Sequence, residues 1–445
     1  MDAGSGRLVE LLQQLIRNAC VSRDFPSIGE ESRNAETLEA VLGGGGLDVE
    51  RVELVEGRAS LVARIEGTDR DAPSLCLLGH SDVVPVDESG WTRDPFGGEL
   101  VDGEVWGRGA VDMLNQTAAM ALALRNLADR GFRPRGTLTY VAVPDEECGG
   151  YQGTKLLLER RPDLVRADYA VTEIGGAVRS TPSGTAVECF VAEKGTGGVR
   201  VVVRGTPAHS SAPYGADNAL LTAVEVVQRL AGWRAPTTVL ESWAGWVRAQ
   251  GYEPDTEALL LDADRLFDAL GSLPEALARQ AHACTHTTVV PTILRAGDKL
   301  NVIPGRAEVS VNVRVLPGDD PASVLDELGD LLADLMAGGR VELDQVRLQA
   351  GSESSPDTPL WDALARVART HHPGATLVPS LCPGATDARW LRPAGIPTYG
   401  FGVLSRRVTP AQYWARFHGH DERIDVESLG MSLAAWEELA ADFLA

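Results

Sequence analysis

The sequence predicts a large α/β unit, a mixed central sheet flanked by helices, interrupted by a smaller inserted α+β unit. Three observations carry this. Short apolar strands alternate with amphipathic helices in the first part of the chain, the arrangement that builds sheets covered on both faces. From Val187 the strands alternate apolar and polar residues, and after Gly351 the first pattern returns. A chain of 445 residues also exceeds the size at which one core keeps growing. The expected division is therefore 1–186 and 351–445 for the large unit and 187–350 for the insert.

Residues 7–19 repeat Leu and Ile at helical spacing, and 30–42 do so again before the glycine run 43–46 ends the helix. Strands are expected at 59–65, 74–78 and 137–143, with a helix at 117–130. In the insert, strands 199–203 and 308–315 and helices 219–230 and 322–335 predict an antiparallel sheet with helical cover. Helix 360–370, the apolar stretch 397–402 and helix 428–441 complete the large unit. The stretch 233–286 carries no motif; Trp233, Trp243 and Trp246 within it are read as packing residues.

With 63 acidic against 41 basic residues, the formal charge of -22 speaks against nucleic acid or an anionic membrane as partner. The six cysteines (Cys20, Cys76, Cys148, Cys189, Cys284 and Cys382) lack the paired spacing of thiolate zinc sites or disulfide scaffolds. Reduced, mostly buried thiols are expected. The N-terminus lacks the basic and apolar regions of a leader, and no run of about 18 apolar residues occurs. A cytoplasmic location is the expectation.

Chemistry-bearing residues gather where strands end. His80 follows the apolar run 75–78, and Asp82 stands two residues on, where a carboxylate sets the orientation and basicity of a metal-bound imidazole. Asp112 lies in Gly107-Arg108-Gly109-Ala110-Val111-Asp112-Met113, at a helix start. Asp145, Glu146 and Glu147 follow strand 137–143, and three successive carboxylates repel one another unless a cation offsets their charge. Glu173 ends another apolar strand, and His418 lies far downstream in Phe417-His418-Gly419-His420-Asp421-Glu422. Each is unremarkable alone, as an N-cap, an acidic turn or a loop histidine. Together they form a mixed imidazole and carboxylate set of the kind zinc takes, with cobalt or manganese as substitutes.

In these motifs, their order and their spacing, the chain resembles the co-catalytic dinuclear zinc amidohydrolases and metallopeptidases, the family of aminoacylase, acetylornithine deacetylase, succinyl-diaminopimelate desuccinylase and glutamate carboxypeptidase. The resemblance covers nearly the whole chain. The Pro-Asp-Glu-Glu-x-Gly-Gly-x-Gln-Gly and Thr-Asp-x-Arg segments are most like aminoacylase. It implies a zinc-peptidase-like catalytic domain and a ferredoxin-like insert that serves as lid and homodimer interface. It also implies two zinc ions per subunit: Asp112 bridges them, His80 and Glu173 hold one, and Glu147 and His418 the other. Glu146 becomes the general base and Asp82 the partner of His80, while the Asp112-Met113 peptide is expected to be cis. His209 in the insert would reach the partner subunit's site, and Asn301, Arg314 and the Gly384 loop would hold the substrate's carboxylate end.

The departures are Leu114-Asn115 after Met113, and His420 where the family often has proline. His420 is a competing ligand; His418 is preferred because it precedes the glycine. His282, His286, His371 and His372 fall outside the motifs. The implied reaction is hydrolysis of the amide bond of a small N-acyl amino acid or dipeptide with a free carboxylate. The alternatives are a two-metal phosphoesterase, for which cationic groups beside the motifs are few, and a non-catalytic metal-stabilised relative, against which Glu146 stands.

Overall fold

The computed structural model describes residues 3–23 and 29–445. A ten-stranded mixed sheet forms its centre. Strand Leu75–His80 lies between Leu138–Val143 and Tyr169–Thr172 and runs parallel to both; Thr398–Gly400 continues the parallel order beyond Tyr169–Thr172. Arg58–Ile65 and Asp48–Val55 extend one side antiparallel, and Gly184–Glu193 joins the other. Three adjacent parallel strands thus end along one edge, and the residues beyond them are His80, Glu146 and Glu173. An open parallel sheet forms its ligand crevice at such an edge.

Helix Leu114–Asp129 lies buried on this sheet, twelve of its sixteen residues without solvent exposure to speak of. Its close approach depends on Gly79, where a Cβ would stand 2.6 Å from Thr117 Oγ1 and 3.1 Å from the Met113 methyl. Thr117 Oγ1 in turn donates to the His80 carbonyl over 2.7 Å. The glycine before His80 therefore seats the helix that carries Asp112 at its start.

The second sheet has four antiparallel strands in the order Thr288–Ala296, Arg306–Val315, Gly195–Arg204, Val341–Leu348. Helices Ala219–Gly232 and Pro321–Leu331 fall between its strands in sequence, giving the βαββαβ order of a ferredoxin-like unit. Asn218 and Asp320 accept from the backbone amides of Leu220 and Ala322, which fixes where these helices start. Its core is a cluster of its own, built from Val199, Val201 and Val203, Val309 to Val315, and the inner faces of both helices.

Two parts of the expected 187–350 insert lie with the large unit instead. Gly184–Glu193 is buried along nearly its whole length and pairs in parallel with Ala375–Cys382, so the small sheet begins only at Gly195. The helices between 241 and 285 also join the large core, through Trp243, Trp246, Val247, Leu260, Leu266, Ala281 and Cys284. Helix Glu241–Gln250 reaches the sheet because Gly245 faces Pro379, where a Cβ would stand 2.6 Å from the ring. The apolar surface this helix covers is supplied by strand Ala375–Cys382, more than a hundred residues away in the chain.

All six cysteines are free thiols, five of them buried. Among the described residues, no helix is long and apolar enough to cross a membrane.

Candidate active site

At the shared strand edge, His80, Asp112 and Glu173 offer ligand atoms within 4.8 Å of one another, and so do Asp112, Glu147 and His418. Asp112 belongs to both groups through different oxygens. Its Oδ1 lies 3.1 Å from His80 Nε2 and its Oδ2 3.1 Å from His418 Nε2. Glu173 Oε2 is 3.5 Å from His80 Nε2, and Glu147 Oε2 is 3.2 Å from His418 Nε2. The Asp112-Met113 peptide is cis. His420 is directed elsewhere, its ring packed over Gly90, so His418 alone joins the cluster.

Three non-glycine residues at this edge adopt left-handed backbone: Asp145 (φ 73°), Ile174 (φ 67°) and His418 (φ 54°). Such conformations are uncommon away from glycine and gather where surrounding structure over-determines them. Asp145 is held by Arg58 at 3.0 Å and by the Gln152 amide at 2.8 Å; Arg58 is itself paired with Glu31 at 2.8 Å, all buried. This turn starts the chain on the course that brings Glu146 and Glu147 inward.

His-x-Asp works here through two different groups of Asp82. His80 Nδ1 lies 3.0 Å from the Asp82 backbone carbonyl and 3.7 Å from its carboxylate. The carboxylate accepts instead from the amides of Glu146 and Glu147, each over 3.1 Å. Asp82 therefore orients the imidazole with its main chain and the two glutamates with its side chain.

The electrostatics are those of a cation site. Burial pushes the Glu147 carboxyl up to about 8, helped by the charge of Asp112, and holds Glu173 well above its usual range, helped by Glu146. Burial would lower the His80 pKa, but Glu173, Asp112 and Asp82 outweigh it and raise it well above its usual value. Hydrogen bonds to Asp112 and Glu147 raise His418 to about 10. Glu147 Oε1 is buried without a partner. Each group presents one imidazole nitrogen and two carboxylates, a donor set that fits zinc, cobalt or manganese. A divalent cation would offset the repulsion that these protons otherwise relieve.

Three features escaped sequence reasoning. Arg389 donates a hydrogen bond to Glu146 Oε1, although 243 residues separate them. Glu422 Oε1 accepts from the amides of Val111 (2.7 Å) and Asp112 (3.0 Å), while its Oε2 takes Arg108 at 2.7 Å. Glu193 Oε2 holds both the amide and the hydroxyl of Thr386, at 2.9 and 2.8 Å, fixing the loop that carries Arg389. The only signal was the placement of these residues inside motifs, Arg389 in Thr-Asp-x-Arg and Glu422 four residues after His418.

His209 lies on a short two-stranded ribbon of the small unit and Asn301 just precedes its second strand, Val302–Ile303; the Ser210 amide donates to the Asn301 carbonyl over 3.1 Å. Both are exposed, and within one chain neither bonds to the cluster. Arg314 is half-buried and has no ion-pair or side-chain hydrogen-bond partner among the described residues; burial lowers its pKa, and the Arg389 charge lowers it further. Gly384 lies in the loop between Cys382 and Thr386, with the Cys382 thiol 3.5 Å from where its Cβ would be. His286 and His372 are satisfied structurally, by Thr237 and Thr285 and by the Leu404 carbonyl.

A mixed sheet whose parallel strand ends converge on paired carboxylate and imidazole groups, beside one further buried carboxyl, defines a metal-dependent amidohydrolase. The comparison with known proteins makes the class specific. The profile described as "Peptidase family M20/M25/M40" matches residues 76–442, and the chain belongs to this family. It is 30% identical over 383 residues to aminoacylase-1 of Homo sapiens, an alignment covering 85% of this chain and 82% of the relative. It is 29% identical over 395 residues to an N-fatty-acyl-amino acid synthase/hydrolase of Danio rerio, covering 84% of this chain and 73% of that one. In fold it is similar to an M20 family metallo-carboxypeptidase from Sulfolobus solfataricus, with a TM-score of 0.74 at 20% identity over 100% of this chain and 99% of the other.

Proposed function

We propose that this chain hydrolyses the amide bond of a small N-acyl amino acid or dipeptide with a free carboxylate beside the scissile bond, using two zinc ions, with cobalt or manganese as substitutes. The observation that carries this reading is a division of labour at the sheet edge. Five side chains make up two cation groups sharing Asp112, and a sixth, Glu146, is buried beside them and belongs to neither. The aminoacylase-1 relatives support an N-acyl amino acid as substrate.

Two bound ions would supply Lewis acidity to an attacking water and to the amide carbonyl. Glu146 takes the proton of that water as the C–O bond forms, and returns it to the nitrogen as the C–N bond breaks. Burial raises the Glu146 pKa against the opposing pull of Arg389, which moves it towards the working range of a base at neutral pH. Arg389 holds the carboxylate in place between the two transfers. Arg314, unpaired and facing the Gly384 loop region, is suited to grip the substrate carboxylate bidentately, with Asn301 contributing.

His209 is exposed and its ring bonds to Ser211 rather than to the cluster, so it would complete the partner subunit's site in a homodimer. The small unit offers a surface for that. Leu221 and Val224 on helix Ala219–Gly232 and Val290, Ile293 and Leu294 on the edge strand Thr288–Ala296 are all exposed, an apolar surface next to the free outer edge of that strand.

A screen of N-acetyl, N-succinyl, long-chain acyl and aminoacyl amino acids with zinc, cobalt and manganese tests the reading. Metal-dependent release of the free amino acid from at least one class is expected. Turnover of phosphate esters alone, or of nothing with all three metals, would overturn it.

A further inference from the structure

We propose that Glu193 is a positioning residue for the proton transfers of Glu146: its buried carboxylate fixes Thr386, Thr386 fixes the Arg389 guanidinium, and Arg389 holds Glu146. The inference rests on the amide-hydrolase reading above and adds to it a residue outside both cation groups.

The link is continuous from one end to the other. Glu193 Oε2 accepts from the Thr386 amide at 2.9 Å and from the Thr386 hydroxyl at 2.8 Å. That hydroxyl accepts in turn from the Ala388 amide at 3.1 Å, and the Thr386 carbonyl accepts from Arg389 Nε at 2.7 Å and from the Arg389 amide at 3.1 Å. Arg389 Nη2 then donates to Glu146 Oε1. A guanidinium is a planar, rigid fork, so fixing Nε at the Thr386 carbonyl fixes the direction in which Nη2 points. Glu193, Thr386 and Glu146 are all buried, so little water competes for these bonds.

The far end of the link is itself anchored. Glu193 is the last residue of strand Gly184–Glu193 and lies opposite Ser352 in the sheet. Its Oε1 accepts from Ser352 Oγ at 3.3 Å and faces Arg392 Nη1 at 3.5 Å. Arg392 is held by the carbonyls of Phe190 and Ser352, each at 3.4 Å, and of Thr398 at 3.0 Å. One oxygen is thus clamped by three segments of the large unit, and the other is left to hold Thr386. A carboxylate is costly to bury, and packing alone would be served by an apolar side chain. The charge at this position is explained by what its second oxygen holds.

Glu146 is therefore placed from two sides. Asp82 fixes its main chain through the Glu146 amide, and the Glu193 link fixes its carboxylate. The small sheet leaves the large unit at Gly195 and ends at Leu348, so the anchor of the link, Glu193 with Ser352, stands at the seam of the two units.

The test uses the full-length zinc-loaded protein and the best N-acyl amino acid of the screen above. Glu193→Asp keeps the charge but draws the carboxylate back by one methylene, beyond hydrogen-bond distance of Thr386. Its kcat should fall roughly 10- to 100-fold, the effect of a displacement of about an ångström at the reacting groups, with KM and zinc content unchanged. Glu193→Gln keeps the length and an acceptor oxygen, and should stay within roughly threefold of wild type, the lower end of the worth of one hydrogen bond. In an Arg389→Gln background, where the link is already cut, Glu193→Asp should cost nothing further. Should Glu193→Asp not fold, the same link is read from its other side, where Thr386→Val loses kcat and Thr386→Ser keeps it. A crystal structure of Glu193→Asp, or of Thr386→Val in its place, should show Arg389 detached from Glu146, a readout that needs no turnover. Full kcat in Glu193→Asp, an equal loss in Glu193→Gln, an undiminished loss in the Arg389→Gln background, equal kcat in the two Thr386 variants, or an intact contact between Arg389 and Glu146 in the crystal each overturns the positioning role. Detachment of Arg389 in a protein that hydrolyses no N-acyl compound overturns the amide-hydrolase reading and leaves the link standing.

Discussion

The carboxylate of Asp82 accepts from the backbone amides of both Glu146 and Glu147, at 3.1 Å each, so one buried side chain sets the position of the proposed base and of one proposed ligand together. Its carbonyl orients His80 at the same time. Asp82→Ala would leave one buried and one part-buried N–H group unpaired, the buried one at a cost of about 1–3 kcal/mol. Urea unfolding should show a loss of that order, and zinc affinity should fall roughly 10- to 100-fold, as when other outer partners of metal ligands are removed. An unchanged zinc affinity would show that the turn holds its shape without Asp82.

Glu422→Gln should destabilise the chain more than its distance from any substrate suggests. Glu422 is fully buried, pairs with Arg108 at 2.7 Å, and accepts two amides of the loop that presents Asp112. Removing one partner of a buried pair typically costs about 3–5 kcal/mol, because the other charge is stranded. Chemical denaturation measures this, and a change below about 1 kcal/mol would mean that Arg108 finds another acceptor.

These two relationships show what the sequence discloses and what it hides. His80, Glu146, Glu147 and Glu173 were legible because each follows an apolar strand directly, and adjacent parallel strands bring their ends to one edge. Asp112 and His418 became legible only through the family's motif order. Glu422, Arg389 and the Arg58, Glu31 and Asp145 group were not, because they act across long sequence separations through contacts that no local pattern records. The same holds for the fold. Helix Leu114–Asp129 was expected from its apolar run, but strand Thr288–Ala296 went unread although it is rich in β-branched residues, because Pro291 interrupts it and its exposed edge position leaves no alternation of apolar and polar residues. The helices between 241 and 285 read as part of the insert because the strand that the first of them covers lies far downstream.

Arg314→Ala should lower kcat/KM on a free-acid substrate by roughly 10- to 150-fold, the range of about 1.5–3 kcal/mol for a hydrogen bond to a charged group. Metal content should not change, and the corresponding methyl ester should be affected far less. Equal preference for acid over ester in wild type and variant would remove Arg314 from the substrate site.

Acid should destabilise the chain through His286. Burial, then the neighbouring His282, lowers its pKa from 6.5 to about 4. The unfolded chain therefore binds this proton more readily, and the stability present above the unfolded value is lost as pH falls from 6.5 towards 4. A shift of that size is worth up to about 3 kcal/mol. Urea unfolding at pH 7 and pH 5 should show a smaller acid loss in His286→Gln than in wild type; equal losses would contradict it.

Zinc content and turnover measured side by side in wild type and Glu146→Gln test the central claim most directly. Glu146 is proposed to move protons and to hold no ion, while the five groups around it are proposed to hold two. Both proteins should therefore bind two zinc ions per chain, and the variant should hydrolyse the best N-acyl amino acid about 100- to 10,000-fold more slowly, the worth of a positioned general base. A variant that keeps wild-type turnover, or that loses a zinc ion together with its activity, would contradict the account.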